Sequence, residues 1–148
     1  MSSKNMIKYE IYKKMHDDLT KAMKNGFYYE AIFIEYAILE DRFRSVLYYA
    51  NINYIDKKGN DISIKSKLNK IESRKELSSS FYKKRLSIDL LNRTRSWIDN
   101  RNDLIHHLAN ITYDSDKVES IAVEGYEIVK IVKNKTSSVI NHLKKEQL

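Results

Sequence analysis

The chain has 148 residues, with 27 Lys and Arg against 20 Asp and Glu, a formal net charge of +7 and no cysteine. That length fits one domain with a single core; the missing cysteines exclude disulfides and thiolate metal sites, and four histidines with one adjacent pair leave a zinc site few ligands. No run of ~18 apolar residues could span a membrane, and Met1-Ser2-Ser3-Lys4-Asn5-Met6 lacks the apolar core of a signal peptide, so the expected location is the cytoplasm.

With no proline and three glycines the chain has few helix breakers, and Ile, Leu, Lys and Glu recur at spacings of three and four. This pattern predicts an all-α fold, an antiparallel up-and-down helical bundle of four to five helices forming one domain over residues 1–148. A first helix is expected from about Asn5 to Lys24, carrying Met6, Ile7, Ile11, Met15, Leu19 and Met23, with Asn25-Gly26 as its C-terminal stop. A second runs from Phe27 to about Ala50. The stretch from Asn51 to Asp61, with Asp56-Lys57-Lys58-Gly59-Asn60, has the residues of a turn.

A short third helix follows from Ile62 to Ser73. Ser78-Ser79-Ser80 then offer hydroxyl caps for a long fourth helix beginning near Phe81. The last helix begins after Tyr113-Asp114-Ser115, where Asp116 and Glu119 have capping-box spacing, and continues through Ile121, Ile128, Ile131, Val132, Val139 and Leu143 into a charged, frayed tail.

On a helical wheel Leu86, Leu90, Thr94, Trp97, Ile98, Leu104, Ile105 and Leu108 share one face of the fourth helix, and Arg101 falls in its middle. A buried arginine needs a carboxylate partner or a cleft open to an anion. Taken alone, Arg101 reads as half of an ordinary buried ion pair. On the second helix Ala31, Ile34, Ile38, Ser45 and Tyr49 share a face into which Glu35 projects, so Glu35 is expected to face Arg101. Glu40 is a rival on the opposite side, and Glu35 could equally pair with Arg42 along its own helix.

The stretch Arg101-Asn102-Asp103-Leu104-Ile105-His106 resembles the signature of the HEPN superfamily of helical-bundle proteins. That signature is an arginine, a polar Asn, Asp or His directly after it, and a histidine four to six residues beyond the arginine; both His106 and His107 satisfy the spacing. The resemblance implies a metal-independent endoribonuclease that needs no cofactor. A base draws the proton from a ribose 2′-hydroxyl, which attacks the adjacent phosphorus, while an acid protonates the leaving 5′-oxygen. His106, with an unperturbed pKa near ~6.5 for its type, would be the acid/base. Arg101 would hold the scissile phosphate, and Asn102 would orient the substrate or the histidine. His107, Glu35 and Arg95 are the supporting or substrate-binding candidates; Arg93 and Arg95 either flank an RNA cleft or solvate an exposed face.

On an unbroken helix Arg101 and His106 point about 140° apart. Either the helix begins or bends near Asn100, or two copies supply the groups across a twofold axis, and HEPN ribonucleases typically use such a homodimer. Phe27, Tyr28, Tyr29, Phe33, Tyr36 and Phe43 offer surface for that contact, or serve the core. The resemblance further implies RNA as substrate, a toxin or defence role, and an antitoxin or nucleotidyltransferase partner. Some HEPN toxins carry a modifiable tyrosine two residues after the motif histidine; here Leu108 or Ala109 stands there, which puts that regulation in doubt. Two other readings stay open: a non-catalytic HEPN-like bundle that binds RNA, nucleotide or protein, and a helical adaptor in which Arg101 and the histidines are structural. A DNA reader is disfavoured, since no short helix-turn-helix spacing or Arg-rich recognition helix is present.

Overall fold

The protein is an all-helical bundle. A computed structural model describes residues 3–108 and 114–148. Among them lie six α-helices: α1 (Ser3–Lys24), α2 (Tyr28–Tyr49), α3 (Ile64–Ser73), α4 (Ser80–Arg85), α5 (Ile88–His107) and α6 (Ser115–Glu146), with a 3-10 turn at Lys75–Leu77. No described helix is long and apolar enough to cross a membrane.

Local chemistry sets most of the helix ends. At the end of α1, Phe27 N donates to Ala22 O at 2.8 Å and Gly26 N to Met23 O at 3.3 Å, with Gly26 at φ +74°. This paired closure requires a left-handed residue, which glycine adopts without a Cβ penalty. The same closure ends α2, where Ile52 N reaches Leu47 O and Asn51 N reaches Tyr48 O, and the left-handed position is taken by Asn51 at φ 58°. The 51–61 segment is a loop, as its composition predicts. Asp56 Oδ1 accepts from Lys58 N and Asn60 N, and Ile55 and Asp61 form one antiparallel bridge. Lys67, fully buried, ties the loop to α3 by donating to Ile62 O at 2.6 Å.

Two helix boundaries differ from the sequence expectation. The long fourth helix is two helices, α4 and α5, separated at Leu86 and Ser87. Leu86 leaves helical geometry with ψ 66°, and the Ser87 hydroxyl accepts from Leu90 N to start a new helix. The cap of α6 is Asp114, whose carboxylate accepts from Asp116 N, and not the Asp116–Glu119 pair. That last helix also stays regular through Glu146, where fraying was expected.

The centre of the bundle is the pair α2 and α6. Their contacts rise together along both chains: Tyr28 with Glu119, Glu35 against Gly125, Arg42 with Thr136, Tyr49 with Gln147. These two helices are therefore parallel. The antiparallel packing expected of the bundle is found around them. Lys8 and Tyr12 of α1 meet Ser45 and Arg42 of α2. Arg93, Trp97 and Asp103 of α5 meet Glu124, Ile121 and Lys117 of α6 in descending order, and Tyr82 and Arg85 of α4 meet His142 and Ser138. The core is filled by Leu39, Phe43 and Val46 of α2, Ile128, Val132 and Val139 of α6, and Trp97 and Ile98 of α5, each at most 1 % exposed. Each such side chain contributes about 1.5–3 kcal/mol by leaving water. Less of α1 takes part. Leu19 and Ala22 are buried, whereas Met6, Ile7 and Ile11 of its expected apolar stripe are more than half exposed.

Candidate functional site

Helix α5 holds the motif and is unbroken from Ile88 to His107, so it neither begins nor bends near Asn100. Thr94, Trp97, Ile98 and Leu104 are buried on the face that was expected to be apolar, while Ile105 and Leu108 are 42 % and 47 % exposed. Arg101 sits at the margin of that face and is half-buried. Its guanidinium lies over the ring of Tyr36 of α2, 3.9 Å from the centroid, and Nη1 donates to Asn102 Oδ1 at 3.0 Å. The Nε hydrogen is buried without a hydrogen-bond partner. Among the described residues no carboxylate forms an ion pair with this arginine. Among the described residues its charge is met by a π face and an amide oxygen alone, so it keeps donors for an anion.

Glu35 does not meet Arg101. It is fully buried, neither carboxylate oxygen has a hydrogen-bond partner, and it packs against Gly125 and Trp97. Burial alone pushes its carboxyl up to about 9, so the group is neutral at physiological pH. A neutral acid cannot serve as the counter-ion of a guanidinium. The alternative pairings are not formed either: Arg42 Nε donates to Thr136 Oγ1 at 3.0 Å, and Glu40 pairs with Arg44 at 3.3 Å. The helical wheel placed Glu35 on the inward face correctly, but it is the neighbouring Tyr36, about 100° around the helix, that faces Arg101.

The two histidines differ. His107 is fixed: its Nδ1 is 2.7 Å from Asp103 O and 3.3 Å from Asp103 Oδ1. His106 is exposed and makes no such bond among the described residues. Because α5 is continuous, His106 points about 140° from Arg101 around the helix axis. One chain does not bring both to a single phosphate. Asn102 is half-buried and bound to Arg101. Arg95 is not a free cation beside the motif; it donates to Asn92 and Asn69, each at 2.8 Å, and pairs with Glu72 at 2.7 Å, bracketing α3 to α5. Arg93 is likewise occupied, forking onto both oxygens of Glu124 at 2.9 and 2.6 Å.

Tyr36 is the residue beside Arg101 that the sequence did not single out as its partner. Its only signal was position: Tyr29, Phe33 and Tyr36 recur at helical spacing, a stripe on one face of α2. Phe33 is 72 % exposed and Tyr29 46 %. Since α5 runs opposite to α6, and α6 parallel to α2, the exposed Ile105 and Leu108 continue along α5 in the direction in which Phe33 and Tyr29 recede along α2. An apolar strip thus leads away from the Arg101–Tyr36 contact. Among the described residues no group of three metal-ligating side chains comes together. Comparison of the chain with family models, with curated proteins and with solved structures finds no match.

Proposed function

We propose that the chain is a metal-independent endoribonuclease of the HEPN type that works as a homodimer in the cytoplasm, in a toxin or defence role. The observation that carries this reading is Arg101. It is a half-buried arginine held by Tyr36 and Asn102 that, among the described residues, has no carboxylate partner, in a motif that also supplies an exposed histidine. In the reaction Arg101 binds the scissile phosphate and stabilises the charge that builds on its oxygens. His106 exchanges the proton with the 2′-hydroxyl or the 5′-oxygen, leaving a 2′,3′-cyclic phosphate and a 5′-hydroxyl. The second copy is called for by the angle between Arg101 and His106, and the strip formed by Phe33, Tyr29, Ile105 and Leu108 is an apolar surface next to the motif that such a copy would cover. An antitoxin or nucleotidyltransferase would be a further partner.

The test is cleavage of mixed RNA in excess EDTA by wild type, Arg101→Ala and His106→Ala, with product ends identified by mass spectrometry. Both variants are expected to be inactive and folded. An equal mixture of the two, unfolded and refolded together, is expected to recover about a quarter of wild-type activity, because half the dimers are mixed and each has one intact composite site. Cleavage that survives in either variant overturns the reading. The same 140° separation favours one alternative, a bundle that binds RNA or nucleotide without cutting it, and binding by wild type with no cleavage selects that alternative.

A further inference from the structure

A second cluster of cations lies on another side of α2, about 1.7 turns beyond Tyr36 and about 120° around the helix. Here α1, α2 and α6 enclose a cleft of about 360 Å³ whose lining includes Tyr12, Lys13, His16, Arg42, Lys133 and Ser137. It adjoins a hollow of about 500 Å³ that shares Tyr12, Arg42 and Ser137 and adds Lys8 and Lys144. Arg42 is held in place by its Nε bond to Thr136 Oγ1 and by the Tyr12 ring, 5.5 Å from the guanidinium carbon. Thr136 is itself buried and bonded to Val132 O, so the bracket is rigid. Arg42 also acts on the Tyr12 hydroxyl, and among the described residues its terminal amino groups have no carboxylate partner.

Among the described residues neither Arg42 nor Lys133 has a carboxylate partner. Asp41 of α2 reaches Lys8 at 3.7 Å and Arg44 at 3.6 Å through Oδ1, and its charge also acts on the Tyr12 hydroxyl; Asp17 of α1 acts on His16 without a hydrogen bond to it. The remaining groups repel one another. Burial and the Arg42 charge pull the Lys133 ammonium down, and burial and Lys133 pull His16 down. The Tyr12 hydroxyl and His16 Nε2 are buried without a hydrogen bond of good geometry. A protein that holds a forked guanidinium and an ammonium beside an imidazole and a phenol around one cleft, with no acid paired to either cation among the described residues, carries an electrostatic cost that an anion would remove.

We propose that this cleft between α1, α2 and α6 is a binding site for a phosphate group, with Arg42 gripping two oxygens, Lys133 supplying the second charge, and His16, Tyr12 and Ser137 completing the hydrogen bonds. It is separate from the Arg101 motif and does not depend on the ribonuclease reading. A forked arginine with a hydroxyl beside it suits a tetrahedral oxyanion better than a lone carboxylate.

The experiment follows the His16 imidazole resonances and the thermal midpoint of the full chain during titration with inorganic phosphate and, separately, glycerol phosphate, against sodium chloride of equal ionic strength. Saturable movement of the His16 signals by phosphate and not by chloride is expected. Tighter binding of the ester identifies a phosphorylated molecule as the ligand; equal or weaker binding identifies the free ion. Lys133→Gln should raise the midpoint of the ligand-free protein, because it removes repulsion, and weaken phosphate by about tenfold or more. Arg42→Lys, which keeps the charge but loses the fork, should weaken the binding seen at the His16 signals too. No saturable change with either probe, or unaltered phosphate affinity in Lys133→Gln and Arg42→Lys, overturns the proposal.

Discussion

The Glu35 carboxyl occupies the space that a side chain on Gly125 would fill. A Cβ built on Gly125 would come within 2.7 Å of Glu35 Cδ and 2.8 Å of Trp97 Cε2. In the central parallel pair a protonated acid on one helix thus faces the bare backbone of the other. In the unfolded chain the carboxyl titrates near 4.5, and in the folded protein it keeps its proton up to about 9. Between those values unfolding releases a proton, so stability must fall as pH rises, by about 1.4 kcal/mol per pH unit at the steepest, and level off outside the window. Chemical denaturation from about pH 5 to 8.5 should show this decline in wild type, with a much flatter profile in Glu35→Gln. Superimposable profiles would mean that Glu35 is ionised in the fold.

Gly125→Ala places a methyl group into Glu35 and Trp97, and neither can retreat, since both are buried. A loss of about 1–3 kcal/mol is expected from denaturant midpoints. In a Glu35→Ala background the loss should shrink, because the acid that collides is gone, and the coupling in that double-mutant cycle measures the contact.

Arg95 and Arg101 lie on the same helix and should respond oppositely. Arg95→Ala breaks the bracket to Asn69 and Glu72, so about 1 kcal/mol of stability is expected to go while RNA cleavage per folded molecule changes less than about twofold. Tyr36→Leu removes the ring beneath Arg101. It should leave the melting temperature nearly unchanged and lower cleavage by about tenfold, through loss of the position of the guanidinium. Equal effects of the two substitutions on cleavage would show that the stacked arginine is not the one that meets the phosphate.

The histidines make a further contrast. His106→Ala should abolish cleavage with no effect on folding, since His106 is exposed and has no hydrogen bond among the described residues. His107→Ala frees Asp103 and loosens the last turn of α5, so a loss of a few tenths of a kcal/mol with most activity retained is expected. Parallel assays of single-turnover cleavage and thermal unfolding separate the two.

Local signals in the sequence were readable and relational ones were not. Asn25-Gly26 marked the end of α1, and Asp56 through Asn60 marked the loop, because those residues act on their own backbone within a few positions. The break between α4 and α5 was missed because no proline or glycine announces it; the Ser87 hydroxyl does the work, and serine is common throughout that stretch. Arg101 could be placed on the inner face of its helix from periodicity. Its partner could not, since Glu35 and Tyr36 are adjacent in the chain and side-chain direction decides which of them turns inward. The cluster of Tyr12, His16, Arg42 and Lys133 left no linear pattern at all, because it draws on three helices.

The parallel arrangement of α2 and α6 sets the order in which the bundle can form. Contacts such as Tyr28–Glu119, Arg42–Thr136 and Tyr49–Gln147 join residues 91, 94 and 98 positions apart, far beyond the local pairings typical of helical bundles. Closing such loops costs entropy before any burial compensates it, so folding should be slower than helix content alone implies. During synthesis α2 emerges long before α6 and must wait with its inner face uncovered, Glu35 included. A ribosome-bound chain that stops short of α6 is therefore expected to be a substrate for chaperones and proteases until the other half of its centre arrives.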